Sequence, residues 1–117
     1  MSADAGVTAM GIDHVRLSYL YLDQGDLDGY GSLFAADARI VRPGERVVRA
    51  HVESGHAGLS VGKHVVEEVF GVDDRVTVTG RLTHRATGRE VGFADVFALS
   101  EHGLLRFQKT YFFLAPG

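Results

Sequence analysis

The 117-residue chain carries 12 Lys and Arg against 15 Asp and Glu, a formal net charge of −3, with 45% hydrophobic residues, seven Phe and four Tyr. That apolar content suits one packed domain over residues 1–117 and excludes disorder as the main state, while the acidic balance excludes the positive field that a phosphate backbone or an anionic membrane surface requires. With no cysteine there is no disulfide scaffold, thiolate zinc site or Cys nucleophile, and Met1–Gly11 lacks the basic and apolar regions of a signal peptide, so the expectation is a soluble, cytoplasmic protein.

In chain order, Met10, Ile12, Val15, Leu17, Leu20 and Leu22 recur at helical spacings, which predicts a first helix over about Thr8–Asp23 with Gly25 at its stop. Asp26 is placed to cap a short second helix running to Phe34. Ala38–Arg42 and Arg46–Arg49 flank Pro43-Gly44-Glu45 and read as a hairpin, followed by a weak helix over His51–Leu59 that Gly55 and Gly58 interrupt. The rest is strand: Lys63–Val72, Arg75–Arg85, Glu90–Ser100 and Leu104–Leu114, broken at Asp73-Asp74, Thr87-Gly88 and Glu101-His102. Helices first and a meander after predict an α+β fold.

Taking Thr87-Gly88 as a two-residue turn sets Leu82 opposite Phe93, Gly80 opposite Asp95 and Val78 opposite Phe97 on one apolar face, with Arg85 opposite Glu90 on the other. Taking Glu101-His102 as the next turn sets Gln108 opposite Asp95 and Phe112 opposite Val91. The last strand then turns Leu105, Phe107, Tyr111 and Phe113 to the outer face. An apolar stripe there implies a cover, and a homodimer through the convex sheet face is the simplest one.

Asp95 stands out chemically, because a carboxylate between Phe93 and Phe97 on an apolar face must be desolvated, paired or protonated. Gly80 opposite it would leave room for a ligand. Desolvation makes Asp95 a candidate proton donor and acceptor; a hydrogen bond to Gln108 or a buried ion pair would make it structural. His84 lies about 13 Å along the ladder, at about 3.3 Å per residue, too far for a direct bond and beside the turn. His14, Ser18 and Tyr21 share one side of the first helix and could present polar groups to a cavity. His51, Glu53 and His56 match no strong metal-ligand spacing, no glycine-rich phosphate loop occurs, and Arg81, Arg85 and Arg89 read as a solvated face offset by Glu90.

The string YLDQGDLDGYGSLFAADARI, a helix, then G-D-L-D-G, then L-F-A-x-D-A, resembles the nuclear transport factor 2-like superfamily, in particular its ketosteroid isomerase and SnoaL-like polyketide cyclase branches. The resemblance spans nearly the whole chain and implies a single SnoaL-like domain: a cone-shaped curved antiparallel sheet wrapped around the N-terminal helix, with an apolar pocket and commonly a homodimer. The strand F-A-D-V-F carries Asp95 onto the position that looks like the isomerases' oxyanion-stabilising acid and the cyclases' acid/base Asp. Other positions depart from the pattern. Arg42 precedes Pro43 where the isomerases hold their base, Ser18 aligns with their helix-one tyrosine, and Thr110 replaces the epoxide-hydrolase Asp.

What the resemblance and the register imply together is cofactor-independent acid/base cyclisation or isomerisation of a small, apolar, carbonyl-bearing molecule. Asp95 would move the proton, Gln108 and Ser18 would orient a substrate oxygen, and Arg42 would hold an enolate or carboxylate. Phe34, Phe93, Phe97 and Phe112 would line the walls, with Tyr21 and His84 at the edge. The alternatives are a non-catalytic ligand-binding or accessory module in which Arg42 and Asp95 form an internal ion pair, and a dimerisation domain with a filled core.

Overall fold

A computed structural model describes residues 5–41, 48–49 and 62–113. The elements are α1 (Ala5–Gln24), α2 (Leu27–Ser32), β1 (Phe34–Val41), β2 (Val48–Arg49), β3 (Gly62–Val72), β4 (Arg75–His84), β5 (Glu90–Leu99) and β6 (Leu105–Phe113). The strands form a six-stranded sheet in the order β2-β1-β6-β5-β4-β3. It curls around α1, which packs against β3, β4, β5 and β6. This is the expected α+β cone, an unclosed sheet wrapped on a helix.

α1 buries Gly11, Val15, Ser18, Tyr19 and Leu22, a set whose spacing keeps one face of the helix on the sheet. Its end is fixed by Gly25 at φ +72°, where the Gly25 N–H donates to Leu22 O at 3.0 Å and the Asp26 N–H to Tyr21 O at 2.8 Å, a Schellman arrangement. Asp26 then caps α2, its Oδ1 accepting from the Gly29 N–H at 2.8 Å. α2 ends at Ser32 rather than Phe34, because Phe34 already belongs to β1. The pairing of Ile40 with Val48 agrees with the expected hairpin, whose Pro43-Gly44-Glu45 turn, like the helix expected over 51–59, lies outside the described residues. β1 also runs parallel to β6, a pairing the sequence reading did not include.

The register corrects the expectation by two residues on both sides of β5. The β4–β5 connection is a four-residue loop, closed by the His84 N–H on Arg89 O at 2.8 Å and the Gly88 N–H on His84 O at 2.8 Å. Gly80 therefore faces Phe93, and Val78 faces Asp95. Parity is kept, so the buried and exposed faces are those expected. Glu90 is bridged by Arg81 at 3.3 Å rather than by Arg85.

Between β5 and β6 the route is different. The loop is Glu101-His102-Gly103, with Gly103 at φ +77° and its N–H on Ser100 O at 3.0 Å. Three residues instead of two would turn every later side chain to the wrong face, but a bulge between Leu105 and Phe107 adds a second shift and restores the phase. Thr110 thus sits opposite Asp95, and Gln108 opposite Phe97. Leu105 lies before the bulge, so it is turned into the core with no exposed surface, not outward as expected; Tyr111 and Phe113 are exposed.

The core joins Val15, Tyr19 and Leu22 of α1 to Ile40, Val76, Val78, Phe93, Phe97, Leu99 and Leu105. Each fully buried side chain of this kind contributes about 1.5–3 kcal/mol. Against that apolar background the buried polar groups are Ser18, Asp95, Gln108 and Thr110.

Candidate functional site

Three of those buried polar groups, Asp95, Gln108 and Thr110, lie together on the concave face. Period-two alternation along β5 puts Phe93, Asp95 and Phe97 on one face, under α1. Asp95 is 2% exposed. Its Oδ2 accepts from the Tyr19 hydroxyl at 2.5 Å, and its Oδ1 accepts from the Thr110 hydroxyl at 2.5 Å. Gln108, one row along the ladder, faces the carboxylate as a further donor that lowers its pKa, and its Oε1 accepts from the Tyr30 hydroxyl at 3.2 Å. The result is a polar chain from α2 through β6 and β5 to α1, enclosed by aromatic rings.

Burial pushes the Asp95 carboxyl above its ordinary value, an effect opposed in part by the donors Thr110, Tyr19 and Gln108 and by the charge of His64. Tyr19 is pushed well above the ordinary phenol value, first by burial and then by the negative charge and hydrogen bond of Asp95. Its ring is tilted against Phe93 at 5.5 Å and meets Phe97 edge-on at 6.3 Å. A short hydrogen bond between two acids in such surroundings can hold a proton and pass it on.

A second cluster adjoins the first. One turn beyond Tyr19 on the same side of α1, Asp23 holds His64 of β3: Oδ1 lies 2.7 Å from Nδ1, and Oδ2 accepts from the His64 backbone N–H at 2.9 Å. The His64 ring lies 5.1 Å from that of Tyr19 and meets the Phe93 ring edge-on at 5.3 Å.

Of the expected site residues, Asp95, Gln108, Phe93 and Phe97 come together. Phe34 is buried but stacks on Tyr30 at 4.9 Å, and Phe112 pairs with Phe93 yet is 47% exposed at the end of the sheet. Ser18 is buried, but its hydroxyl donates at 2.6 Å to Val15 O of its own helix, so it is committed to the backbone rather than to a ligand. Tyr21 is half-buried over Gly29. His84 is exposed at the end of β4, where its Nδ1 accepts from the Ala86 N–H at 3.2 Å. His14 ties α1 to the β5–β6 loop through Gly103 O at 2.7 Å. Gly80 leaves no ligand space: a Cβ there would meet Val65 O at 2.1 Å and the Phe93 ring at 2.9 Å. Arg42, and with it the Arg42–Asp95 pair, lies outside the described residues.

Sequence reasoning missed Tyr19, His64 and Asp23. The signal for Tyr19 was present in the spacing Val15, Tyr19, Leu22 along the buried face, which a search for polar stripes passes over. Among the described residues no three His, Asp or Glu side chains gather as a metal site, and His51, Glu53 and His56 lie outside them. No described helix is long and apolar enough to cross a membrane. A cleft of about 360 Å³ opens on the other face of the sheet, lined by Asp37, Arg39, Arg75, Ala98, Arg106 and Phe107.

Residues 5–107 match the family model of the SnoaL-like domain. No curated protein sequence matches the chain. Among solved structures, Bal32a from a soil-derived mobile gene cassette is 23% identical, with 91% of each chain covered and a TM-score of 0.75. A protein described as a SnoaL-like polyketide cyclase from Jannaschia sp. CCS1 is 17% identical, covering 96% of this chain and 91% of its own at a TM-score of 0.76. One described as a ketosteroid isomerase from Kribbella flavida is 14% identical, covering 94% and 82% at 0.75. At these identities the likeness is one of fold.

Proposed function

The chain belongs to the SnoaL-like domain family, and from that premise we propose that it is a proton-transfer enzyme of the cyclase or isomerase type, acting on a small, apolar, carbonyl-bearing, polyketide-like molecule. The observation that carries this reading is the 2.5 Å hydrogen bond from Tyr19 to the buried Asp95 carboxylate. With Asp95 protonated, its O–H donates to the Tyr19 oxygen and frees the Tyr19 hydroxyl to donate to a substrate carbonyl oxygen. As negative charge develops on that oxygen, Tyr19 gives up its proton and is refilled by Asp95. Asp95 ends ionised and held by Thr110 and Gln108. Such a step requires no cofactor; Phe93 and Phe97 exclude water and strengthen each interaction.

Catalysed hydrogen–deuterium exchange at the α-carbon of 2-tetralone, a small apolar ketone, tests the reading. The wild-type protein exchanges these protons above the buffer rate, and Asp95→Asn and Tyr19→Phe lower the rate while leaving the circular dichroism unchanged. Wild-type exchange no faster than buffer overturns it.

A second reading, a ligand-binding or accessory module without chemistry, is favoured by one specific observation: both Asp95 oxygens are already satisfied by Tyr19 and Thr110. It predicts saturable binding of the ketone with no exchange.

A further inference from the structure

We propose that His64 is the general base of this site and that Asp23 is the residue that positions it. The inference rests on the proton-transfer reading above and adds the group that reading lacks, since Asp95 and Tyr19 supply a proton to oxygen and something else must remove one from carbon.

The geometry of the pair is that of an oriented imidazole. Asp23 Oδ1 lies 2.7 Å from His64 Nδ1, which places the neutral ring's proton on Nδ1 and leaves Nε2 with its lone pair bare. Among the described residues Nε2 has no hydrogen-bond partner. A second bond, from the His64 backbone N–H to Asp23 Oδ2 at 2.9 Å, fixes the carboxylate in the plane where it can serve the ring. The two side chains are 12% and 17% exposed, so the pair is sheltered but not sealed.

Helix physics makes Asp23 a cost that a ring at this place offsets. It lies in the last turn of α1, where a negative charge opposes the helix dipole. His64, from a different element, is the basic group that faces it.

Position relative to Asp95 gives the pair a chemical meaning. Tyr19 and Asp23 are i and i+4 on α1, so they reach down side by side. The His64 ring stands 5.1 Å from the Tyr19 ring, centroid to centroid. In the proposed pose, a ketone bonded through its oxygen to the Tyr19 hydroxyl has its α-carbon, two bonds away, at the imidazole. His64 Nε2 takes the α-proton, the C–H pair becomes the C=C bond, and the carbonyl π pair moves to oxygen. That oxygen takes the Tyr19 proton, and Tyr19 takes the Asp95 proton. The imidazolium then returns its proton to carbon, at the same position or a conjugated one, and the oxygen proton goes back to Asp95. The two transfers assist each other: the charge His64 gains acts on Asp95 in the direction that releases its proton.

The groups that face His64 are Asp23 and Tyr19 from α1, Phe93 from β5, its ladder partner Leu82 from β4, and Arg85, whose guanidinium donates to Asp23 O at 3.4 Å.

The test is the pH profile of 2-tetralone α-exchange for wild type, His64→Gln, His64→Ala, Asp23→Asn and Asp95→Asn, with the imidazole nitrogens followed by 15N NMR. The expected result is a loss of about 10²-fold or more for His64→Gln, the usual range for a general base. Added imidazole restores exchange in His64→Ala. The wild-type ring is the Nδ1–H tautomer, and Asp23→Asn admits the Nε2–H tautomer as well and lowers exchange, because an amide can donate to Nδ1 as readily as accept from it; a packing defect would not change the tautomer. Exchange that needs Asp95 but survives in His64→Gln overturns this inference and leaves the proton-transfer reading intact. A wild-type ring protonated on Nε2 instead of Nδ1 overturns it as well. Wild-type exchange no faster than buffer removes both.

Discussion

Tyr19 and Asp95, 76 positions apart in the chain, share a 2.5 Å hydrogen bond in the interior of the cone. That bond joins the helix to the middle of the sheet and fixes the protonation behaviour of both partners. In Tyr19→Phe the Asp95 Oδ2 loses its donor where water does not replace it, so unfolding measured in urea loses about 1–3 kcal/mol. The same substitution removes one of the contacts that hold the Asp95 pKa down. Carboxyl-carbon NMR of the variant therefore finds the Asp95 midpoint above the wild-type one; a midpoint below it contradicts the account.

Burial raises the Asp95 pKa in the folded protein from the 3.8 of a free side chain. Between that value and the folded one, the native state holds a proton that the unfolded chain has released, so stability falls as pH rises. The contribution is complete below the unfolded pKa and is lost as pH passes the folded pKa. Asp95→Asn has no such proton. The free-energy difference between wild type and Asp95→Asn, followed in urea from pH 3 upward, moves steadily in favour of the variant and then levels. A difference that moves toward wild type with rising pH would mean a carboxylate stabilised by pairing.

Gly80 opposes Phe93 in the ladder, and its lack of a side chain lets that ring lie flat against the strand. A Cβ would stand 2.1 Å from Val65 O and 2.9 Å from the ring. The ring can shift, but the carbonyl belongs to the β3 ladder. Gly80→Ala is therefore expected to cost about 1–3 kcal/mol and to perturb the Phe93 and Tyr19 ring resonances. Unchanged stability would mean that β3 yields at Val65.

What the sequence disclosed follows from which interactions are local. The Gly25 stop and the Asp26 cap depend on neighbours a few residues away, and both are in place. The faces of β4 and β5 follow from alternation, which survives a two-residue shift, so Asp95, Phe93 and Phe97 are on the expected side. The partners across the ladder depend on loop length: the four-residue loop puts Val78, not Gly80, opposite Asp95, and the three-residue loop with its bulge puts Thr110, not Gln108, there on the other side. β3 lies where the strand over Lys63–Val72 was expected, but the bulge between Val66 and Glu68 breaks its alternation, so its faces, and with them His64, are not read from the pattern. Tyr19 and Asp23 are legible as one helix face, but their partners lie 76 and 41 positions away, beyond any local rule.

The convex face carries the last prediction. Val65, Phe70 and Val72 of β3 and Tyr111 and Phe113 of β6 are all large and exposed. In the ladder, Val65 continues to Arg81, Gly92 and Phe113, and Phe70 to Thr77, Val96 and Lys109; Thr77, Gly92 and Val96 leave short side chains between the apolar flanks, and Arg81 is held by Glu67 and Glu90. We expect this face, with rings at both sides and Thr77, Gly92 and Val96 between them, to take a second copy related by a twofold axis, each copy's rings lying over the other's short side chains. A stable pair needs about 800 Å² from each partner. Sedimentation equilibrium is expected to show a dimer that dissociates on dilution. Phe70→Glu and Tyr111→Glu should each shift it to monomer without changing the circular dichroism, because neither side chain enters the core. Wild-type protein that sediments as a monomer at high micromolar concentration would leave the face for another partner or for solvent.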